Sequence, residues 1–215
     1  MVLYKYMKRK DLLAFLAKGT VRIGTLYDYR KEEEYGGAIG DESEGVYETV
    51  LDRGGDYIVN PLHDTPEAEF CRNAFKIEKD TNFPVIEMQG DAKIIHRSMS
   101  PNVYIYCTTL TYDRTAMEEF GYDSCLEIFR PDIFINELTR KLRKKAKYIC
   151  TSKILYSEKS TSYKEPLDMH PSLVKSKKYT YQCEARSLWA PRDEIQGPII
   201  LDVRRAIMAC RELKL

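Results

Sequence analysis

The segment 103–110 is the clearest strand in the chain, because its side chains alternate between two faces. Tyr104, Tyr106 and Thr108 share one of them. A strand of this kind needs neighbours that complete a sheet. Further strands are predicted at residues 3–7, 20–24, 124–129, 148–156, 179–189 and 199–203.

Helices are predicted between these strands. Asp11 suits the N-terminal cap of a helix over residues 12–17, and Gly19 supplies its left-handed end. Further helices are expected at 115–120 and 204–213, and a longer one begins at Pro131. In this longer helix a stripe at four-residue spacing joins Phe134 to Ala146. The sequence therefore predicts an α+β fold, with a split, largely antiparallel sheet and flanking helices in a single domain over residues 1–215.

The composition suits one globular domain with reduced cysteines. Apolar residues make up 43% and charged residues 31% of the 215, which is too apolar for a disordered chain. The chain lacks an apolar stretch long enough to span a membrane, and its N-terminus lacks the apolar block of a signal peptide, so we expect a cytoplasmic protein. The six cysteines form no CxxC pair and the three histidines are far apart, so no metal site is predicted.

Charge is distributed unevenly although the net charge is only +1. Residues 28–48 contain eight acidic and two basic residues, and they include a Gly-rich loop, 36–45, that is expected at the surface. Residues 138–157 contain seven basic residues and no acidic one. The basic part of the predicted helix, from Arg140 to Lys147, suits a nucleic acid partner, or it is simply a solvated helix face.

The predicted strand 179–189 carries the strongest functional signal. Alternation places Gln182, Glu184 and Arg186 on one face, opposite a face suited to the core. A carboxylate at this position can stabilise positive charge on a substrate or act as a base. The alternative is an exposed strand face on which Glu184 pairs with Arg186.

Motifs at the two ends of the chain resemble a broad bacterial domain-of-unknown-function family. Leu3-Tyr4-Lys5-Tyr6 is followed by a helix and Gly19, and Lys178-Tyr179 leads to Glu184-x-Arg186. The layout also resembles the ADP-ribosyltransferase fold, including its nucleic-acid-modifying toxins. There Gln182-x-Glu184 is similar to the late Q-x-E motif, and Cys107-Thr108-Thr109 is similar in place to an S-T-S strand, with Cys at its first position.

The resemblance implies that the chain transfers ADP-ribose from NAD, its substrate, to a macromolecule in a toxin or phage-conflict system. Glu184 would bind the nicotinamide ribose and stabilise an oxocarbenium-like transition state, and Gln182 would orient the acceptor, with nucleic acid slightly preferred over protein. The residues implied in NAD binding are Tyr4, Lys5, Tyr6, Arg22, Gly24, Arg30, Thr108 and Arg186.

Two alternatives to a transferase remain open at this stage. One is a non-catalytic module of the same fold that senses a nucleotide or binds a partner. The other is a metal-dependent, nuclease-like hydrolase that uses Glu184, the carboxylates of residues 41–44 and a divalent ion. Protection by NAD without turnover would indicate the first, and magnesium-dependent cleavage of nucleic acid the second.

Overall fold

The computed structural model describes residues 1–30, 41–78 and 85–214, which form a mixed α+β fold. The helices of this part are α1 (Arg9–Lys18), α2 (Pro66–Phe75), α3 (Arg114–Glu119) and α4 (Pro131–Leu142). The strands are β1 (Leu3–Met7), β2 (Thr20–Thr25), β3 (Val46–Leu51), β4 (Tyr57–Val59), β5 (Ile86–Met88), β6 (Ile94–Met99), β7 (Tyr104–Thr109), β8 (Ser124–Ile128), β9 (Ala146–Lys153), β10 (Leu155–Ser157), β11 (Ser160–Ser162), β12 (Val174–Ser176), β13 (Glu184–Pro191), β14 (Ile199–Asp202) and β15 (Cys210–Leu213). Short 3₁₀ helices cover Asp28–Arg30, Pro171–Leu173, Lys177–Gln182 and Arg204–Ala209.

The main sheet has eight antiparallel strands and divides at β7. On one edge of β7, β13 pairs along the whole strand, and β9 lies beyond β13. On the other edge, β1 pairs at Thr109, whereas β2 pairs at Tyr104 and Ile105. Strands β8 and β15 extend the β1 side, and β14 extends the β2 side. In these registers, residues 106–108 of β7 face the gap between β1 and β2.

The largest hydrophobic cluster joins the main sheet to α1 and α4. Phe15 and Phe134 come from the two helices, and Tyr106 and Trp189 come from β7 and β13. Trp189 is fully buried, and its indole Nε1 donates to Thr139 Oγ1 over 3.0 Å. Burial of each large side chain stabilises the fold by about 1.5–3 kcal/mol, so this cluster fixes β7 and β13 on which the site is built.

Several sequence predictions agree with the structure. The mixed α+β class and the large antiparallel sheet are confirmed. The predicted strands 3–7, 20–24 and 124–129 match β1, β2 and β8 closely, and the helix predicted at 115–120 matches α3. Gly19 ends α1 in the left-handed conformation, although Lys8, rather than Asp11, precedes the first helical residue.

The predicted basic helix is wrong in its second half. α4 ends at Leu142, and Ala146 already belongs to β9, which pairs with β13. The apolar stripe is compatible with a continued helix and also with a strand that begins at Ala146, because Ala146 is buried in the strand too. In a continued helix, like charges four residues apart would repel one another, as in Arg140 with Lys144 and Lys141 with Lys145. Pairing with β13 instead satisfies the backbone from Ala146 onwards. The residues from Arg140 to Lys147 are therefore a helix end, a turn and the start of a strand.

The strand predicted at 179–189 begins only at Glu184. Residues Lys177–Gln182 form a 3₁₀ helix, in which Tyr179 and Gln182 are buried at a spacing of three residues. Cys183 then adopts a left-handed conformation with φ 44°, which redirects the chain into β13. Gln182 therefore does not share a strand face with Glu184, although both side chains point to the same site. Similarly, the helix predicted at 204–213 is a 3₁₀ helix followed by β15, because residues 210–213 pair with β8.

Gly19 allows the end of α1 to contact the C-terminal part of the chain. Its φ is 76°, and a Cβ there would lie 2.5 Å from the backbone nitrogen of Arg204 and 2.6 Å from the carbonyl carbon of Val203. We expect Gly19→Ala to lower the free energy of unfolding by more than about 2 kcal/mol, because the steric clash adds to a left-handed cost of about 1–2 kcal/mol. Urea denaturation measures this change.

Gly54→Ala is the matched control for this substitution. Gly54 has φ 65°, but no described atom lies within 4 Å of its hypothetical Cβ. Gly54→Ala should therefore lower the free energy of unfolding only by the cost of the left-handed conformation. Equal losses of stability in the two variants would contradict the steric account of Gly19.

Candidate functional site

A cavity of about 340 Å³ opens at the gap between β1 and β2. Tyr4 and Lys5 contribute from β1, Arg22 from β2, and Cys107 and Thr108 from the facing stretch of β7. β1 and β2 pair with the two ends of β7, so a space for side chains remains between them. The cavity occupies this space. The division of the sheet therefore creates the site.

Eight of the ten site residues predicted from the sequence line this cavity. They are Tyr4, Lys5, Tyr6, Arg22, Thr108, Gln182, Glu184 and Arg186. Gly24 and Arg30 are not lining residues. A Cβ on Gly24 would lie 2.9 Å from the ring of Tyr29, so this glycine lets Tyr29 pack toward the cavity. The guanidinium of Arg30 lies over the ring of Tyr27, and its Nε donates to the carbonyl oxygen of Glu44 over 2.8 Å.

Arg186 is the centre of a buried ion network beside the cavity. Its Nη1 and Nη2 donate to the two oxygens of Glu44 over 2.8 and 2.9 Å, and its Nε donates to Glu184 Oε1 over 2.6 Å. Nη1 also donates to the carbonyl oxygen of Ser172 over 2.7 Å. Only 2% of Arg186, 7% of Glu184 and 1% of Glu44 are exposed. The ion pair of Glu184 with Arg186 that the sequence-based alternative predicted is therefore present, but its predicted exposure is wrong, because both partners are buried.

Lys175 adds a second cation to this network. Its Nζ donates to Gln182 Oε1 over 2.7 Å and to Glu184 Oε2 over 3.1 Å, and it lies 3.9 Å from Glu44 Oε2. Burial disfavours the charged ammonium, but Glu184 and Glu44 outweigh this effect and raise the pKa of Lys175. The positive charges of Lys175 and Arg186 thus balance the negative charges of the two glutamates. Lys175 also explains how Gln182, which lies outside the strand, reaches the same site as Glu184.

Glu184 is a fixed, ionised carboxylate. Burial would raise its pKa, but the charges of Arg186 and Lys175 and the hydrogen bond from Arg186 together hold the pKa well below its usual range. A carboxylate that binds protons so weakly is a poor general base. It can still stabilise a positive charge that develops near it, because it stays ionised and is already oriented. The arrangement favours electrostatic stabilisation over proton transfer by Glu184.

Cys107, which is on β7, lies beside Glu184 of β13 and lines the cavity. Burial, and then the nearby charge of Glu184, raise the pKa of its thiol to about 12. The thiolate is the nucleophilic form of cysteine, and a raised pKa disfavours that form. Cys107 contributes to the lining of the cavity.

Lys5 from β1 and Arg22 from β2 bring positive charge to the two sides of the gap. Arg22 is partly exposed and forms a salt bridge with Asp28. Lys5 has its Nζ 5.1 Å from the centre of the Tyr106 ring. Burial lowers the pKa of Lys5, although the nearby charge of Glu184 partly opposes this change. Lys5 is only partly buried, and among the described residues it forms no salt bridge.

Aromatic rings surround these charges. Tyr4, Tyr29, Phe120 and Tyr122 line the cavity together with Tyr6. The Tyr6 hydroxyl accepts from the Asp113 amide over 2.7 Å, which holds this ring in place. Rings of this kind stack on planar groups such as nicotinamide or a base. The cavity combines flat apolar surfaces with cations, as a site for an anionic, ring-containing ligand requires.

Sequence reasoning missed Glu44 and Lys175 as members of this site. Glu44 was assigned only to an acidic loop and, in the hydrolase alternative, to a metal site, whereas Lys175 lay in a segment without a predicted strand. Glu44 lies 142 residues from Arg186 along the chain, so local pattern cannot join them. Residues 36–40 of the Gly-rich loop lie outside the described residues.

The carboxylates of the metal-dependent alternative are held by cations of the chain itself. Glu44 and Glu184 are bridged by Arg186, and Asp41 accepts from Ser43 and lies 3.7 Å from Lys159. Within residues 1–30, 41–78 and 85–214, no group of three or more His, Cys, Asp or Glu side chains has an arrangement suited to a metal ion.

The described helices include none that is long and apolar enough to cross a membrane. Comparison of the chain with protein-family models, curated proteins and solved structures gives no significant match.

Proposed function

We propose that the cavity is the NAD site of an ADP-ribosyltransferase-like enzyme that transfers ADP-ribose to a macromolecule. The observation that carries the proposal is a buried Glu184, held by hydrogen bonds from Arg186 and Lys175, at a cavity in a divided antiparallel sheet that Lys5 also lines. The proposal draws on the resemblance of the late Gln182-x-Glu184 motif for the identity of the ligand, and on the geometry for the chemistry.

The chemistry that this arrangement supports is cleavage of the glycosidic bond of NAD. When the bond between the ribose C1′ and the nicotinamide nitrogen breaks, the electron pair stays with nicotinamide, which leaves as a neutral molecule. Positive charge then develops on the ribose ring, and a nearby carboxylate offsets it. A nucleophilic atom of the acceptor attacks C1′ and releases a proton. Glu184 has the charge that this step requires, and Arg186 and Lys175 hold its carboxylate in one orientation.

The remaining lining groups suit the other parts of NAD. The pyrophosphate is anionic and pairs with cations such as Lys5 and Arg22. The nicotinamide ring can stack on the tyrosines of the cavity. Thr108, which donates its hydroxyl to the carbonyl oxygen of Ala185 over 3.1 Å, helps to keep β7 and β13 together beneath the ligand.

Nucleic acid is the first acceptor to test. Lys141, Arg143, Lys144, Lys145 and Lys147 are exposed around the end of α4 and the start of β9. Arg140 is different, because it forms a bidentate ion pair with Glu137 at 2.7 and 2.8 Å. A biological setting in a toxin or phage-conflict system rests on the sequence resemblance alone.

The test is incubation of the protein with NAD labelled in its adenylate part, together with RNA, DNA or cell lysate. Nicotinamide release and label transfer are measured in the same samples. The proposal predicts that both appear together and that the label enters one acceptor class. A folded protein that releases no nicotinamide in any mixture would contradict the transferase activity.

A non-catalytic nucleotide-binding module is the second candidate, and one specific observation favours it. Both oxygens of Glu184 already accept hydrogen bonds from cations of the chain, Arg186 and Lys175. This pairing offsets the carboxylate charge that a transition state would use. An NAD-dependent rise in melting temperature without nicotinamide release would identify a binding module.

A further inference from the structure

Lys5 differs from the other cations of the cavity in its surroundings. Arg186 pairs with Glu44 and Glu184, Lys175 pairs with Glu184, and Arg22 pairs with Asp28. Among the described residues Lys5 forms no salt bridge, and its Nζ lies over the ring of Tyr106. The cavity therefore contains a cation for which the described part of the chain supplies no carboxylate partner.

Such a lysine is costly in the empty protein. A charge removed from water needs a partner of opposite sign to recover the lost hydration. The charge of Glu184, which lines the same cavity, is already balanced by Arg186 and Lys175. An anionic group of a ligand would supply the negative charge that pairs with Lys5. This electrostatic attraction would then contribute to the binding free energy and stabilise the folded protein.

The size of the cavity limits how much of a dinucleotide it can enclose. Ligand pockets commonly span about 300–1,000 Å³, and this cavity, at about 340 Å³, is near the small end. That volume suits one nucleotide, whose ring would contact the tyrosines of the lining and whose phosphate would lie near Lys5. A second nucleotide would extend beyond the walls formed by β1, β2 and β7.

The geometry points to Lys5 as the phosphate anchor of a one-nucleotide site, so that a nucleoside monophosphate binds without the second half of NAD. The ligand class is thus an anionic mononucleotide, either free or as the enclosed half of a dinucleotide. This inference deepens the proposed function, because the choice of nicotinamide as the base rests on NAD as the substrate. The role of Lys5 rests only on its position in the cavity.

Isothermal titration of the full chain with four small ligands tests this assignment. They are nicotinamide mononucleotide, AMP, nicotinamide riboside and inorganic phosphate. We expect at least one mononucleotide to bind, and the riboside to bind at least tenfold more weakly than its phosphate-bearing form. Binding of inorganic phosphate alone would indicate an anion site without a base pocket and would overturn the one-nucleotide assignment. Equal affinity for nucleotide and riboside, or no mononucleotide binding, would overturn the role of Lys5.

Lys5→Gln, with Lys10→Gln as its matched control, assigns the effect to this lysine. Lys10 is an exposed residue of α1 that does not line the cavity. We expect Lys5→Gln to weaken mononucleotide binding at least tenfold and to leave riboside binding unchanged, whereas Lys10→Gln should change neither. Unchanged mononucleotide binding in Lys5→Gln would contradict the inference.

Two further measurements separate the possible failures. Because Lys5→Gln removes a desolvated charge, its melting temperature without ligand should equal or exceed that of the unmodified chain, so lost binding is not lost folding. If it unfolds instead, the comparison of nucleotide with riboside in the unmodified chain still decides the matter. Binding that depends on the phosphate, without NAD turnover, would support Lys5 as the phosphate anchor and refute the transferase activity. NAD turnover without phosphate-dependent binding would support the transferase activity and refute the role of Lys5.

Discussion

Arg186→Met is expected to lower the free energy of unfolding by about 3–5 kcal/mol, the range found when one partner of a buried ion pair is removed. The substitution leaves Glu44 and Glu184 buried with only Lys175 to balance them. It also removes the donor to the carbonyl oxygen of Ser172, which holds the 3₁₀ helix Pro171–Leu173 against β13. Methionine preserves most of the side-chain volume, so the lost charge and hydrogen bonds dominate the result. Urea or guanidinium denaturation measures the change.

Arg97→Met is the matched control for this prediction. Arg97 also donates two hydrogen bonds to a glutamate, Glu48, at 2.7 and 3.0 Å, but its side chain is 62% exposed. Exposed pairs of this kind contribute about 0–1 kcal/mol. Arg186→Lys should remain close to Arg186→Met, because one ammonium cannot replace the guanidinium contacts with Glu44, Glu184 and Ser172. A loss in Arg186→Met no larger than that in Arg97→Met would show that burial does not decide the contribution of this network.

Glu184→Gln is expected to reduce nicotinamide release and ADP-ribose transfer at least about 10²–10³-fold, the range for loss of one electrostatic group that stabilises a transition state. The amide has nearly the same shape but no negative charge, so positive charge on the ribose would no longer be offset. Its carbonyl oxygen can still accept from Arg186 or Lys175. We therefore expect the affinity for NAD to change much less than the rate, which initial rates at saturating NAD would reveal.

Glu48→Gln is the control for the loss of a carboxylate. Glu48 lies on β3, outside the cavity, and pairs with Arg97. Its loss should leave nicotinamide release unchanged. Full activity in a folded Glu184→Gln variant would show that Glu184 does not stabilise the transition state. The carboxylate would then be a structural part of the ion network.

The local elements of the fold could be predicted because local patterns determine them. β1, Gly19 and β2 follow from alternation and from the left-handed glycine, and β7 follows from its alternating side chains. The prediction failed where tertiary pairing decided between two compatible patterns. Ala146 continues the apolar stripe of a helix, yet it begins a strand because β13 is available as a partner.

The candidate site could be predicted only in part for a related reason. Glu184 and Arg186 lie two residues apart on β13, so alternation placed them on one face. Gln182 reaches the same cavity from a 3₁₀ helix, through its hydrogen bond with Lys175, and not through the strand periodicity used to select it. Glu44 was beyond local analysis, because only the folded chain brings it to Arg186. The burial of the ion network, and hence its energetic importance, depends on the same long-range contacts.

The most direct test of the account is NAD binding to a variant in which the cavity is filled. Ala14 of α1 lines the cavity, so Ala14→Trp would place an indole there without altering a charged residue. Ala17→Trp, an exposed position on the same helix, provides the same side chain outside the cavity.

Isothermal titration of NAD into the unmodified chain and the two variants gives the decisive comparison. If the gap between β1 and β2 is the NAD site, the unmodified chain and Ala17→Trp bind NAD with equal affinity, and Ala14→Trp binds it at least tenfold more weakly while remaining folded. Absence of NAD binding to the folded, unmodified chain, or equal binding to Ala14→Trp, would contradict the assignment of this cavity.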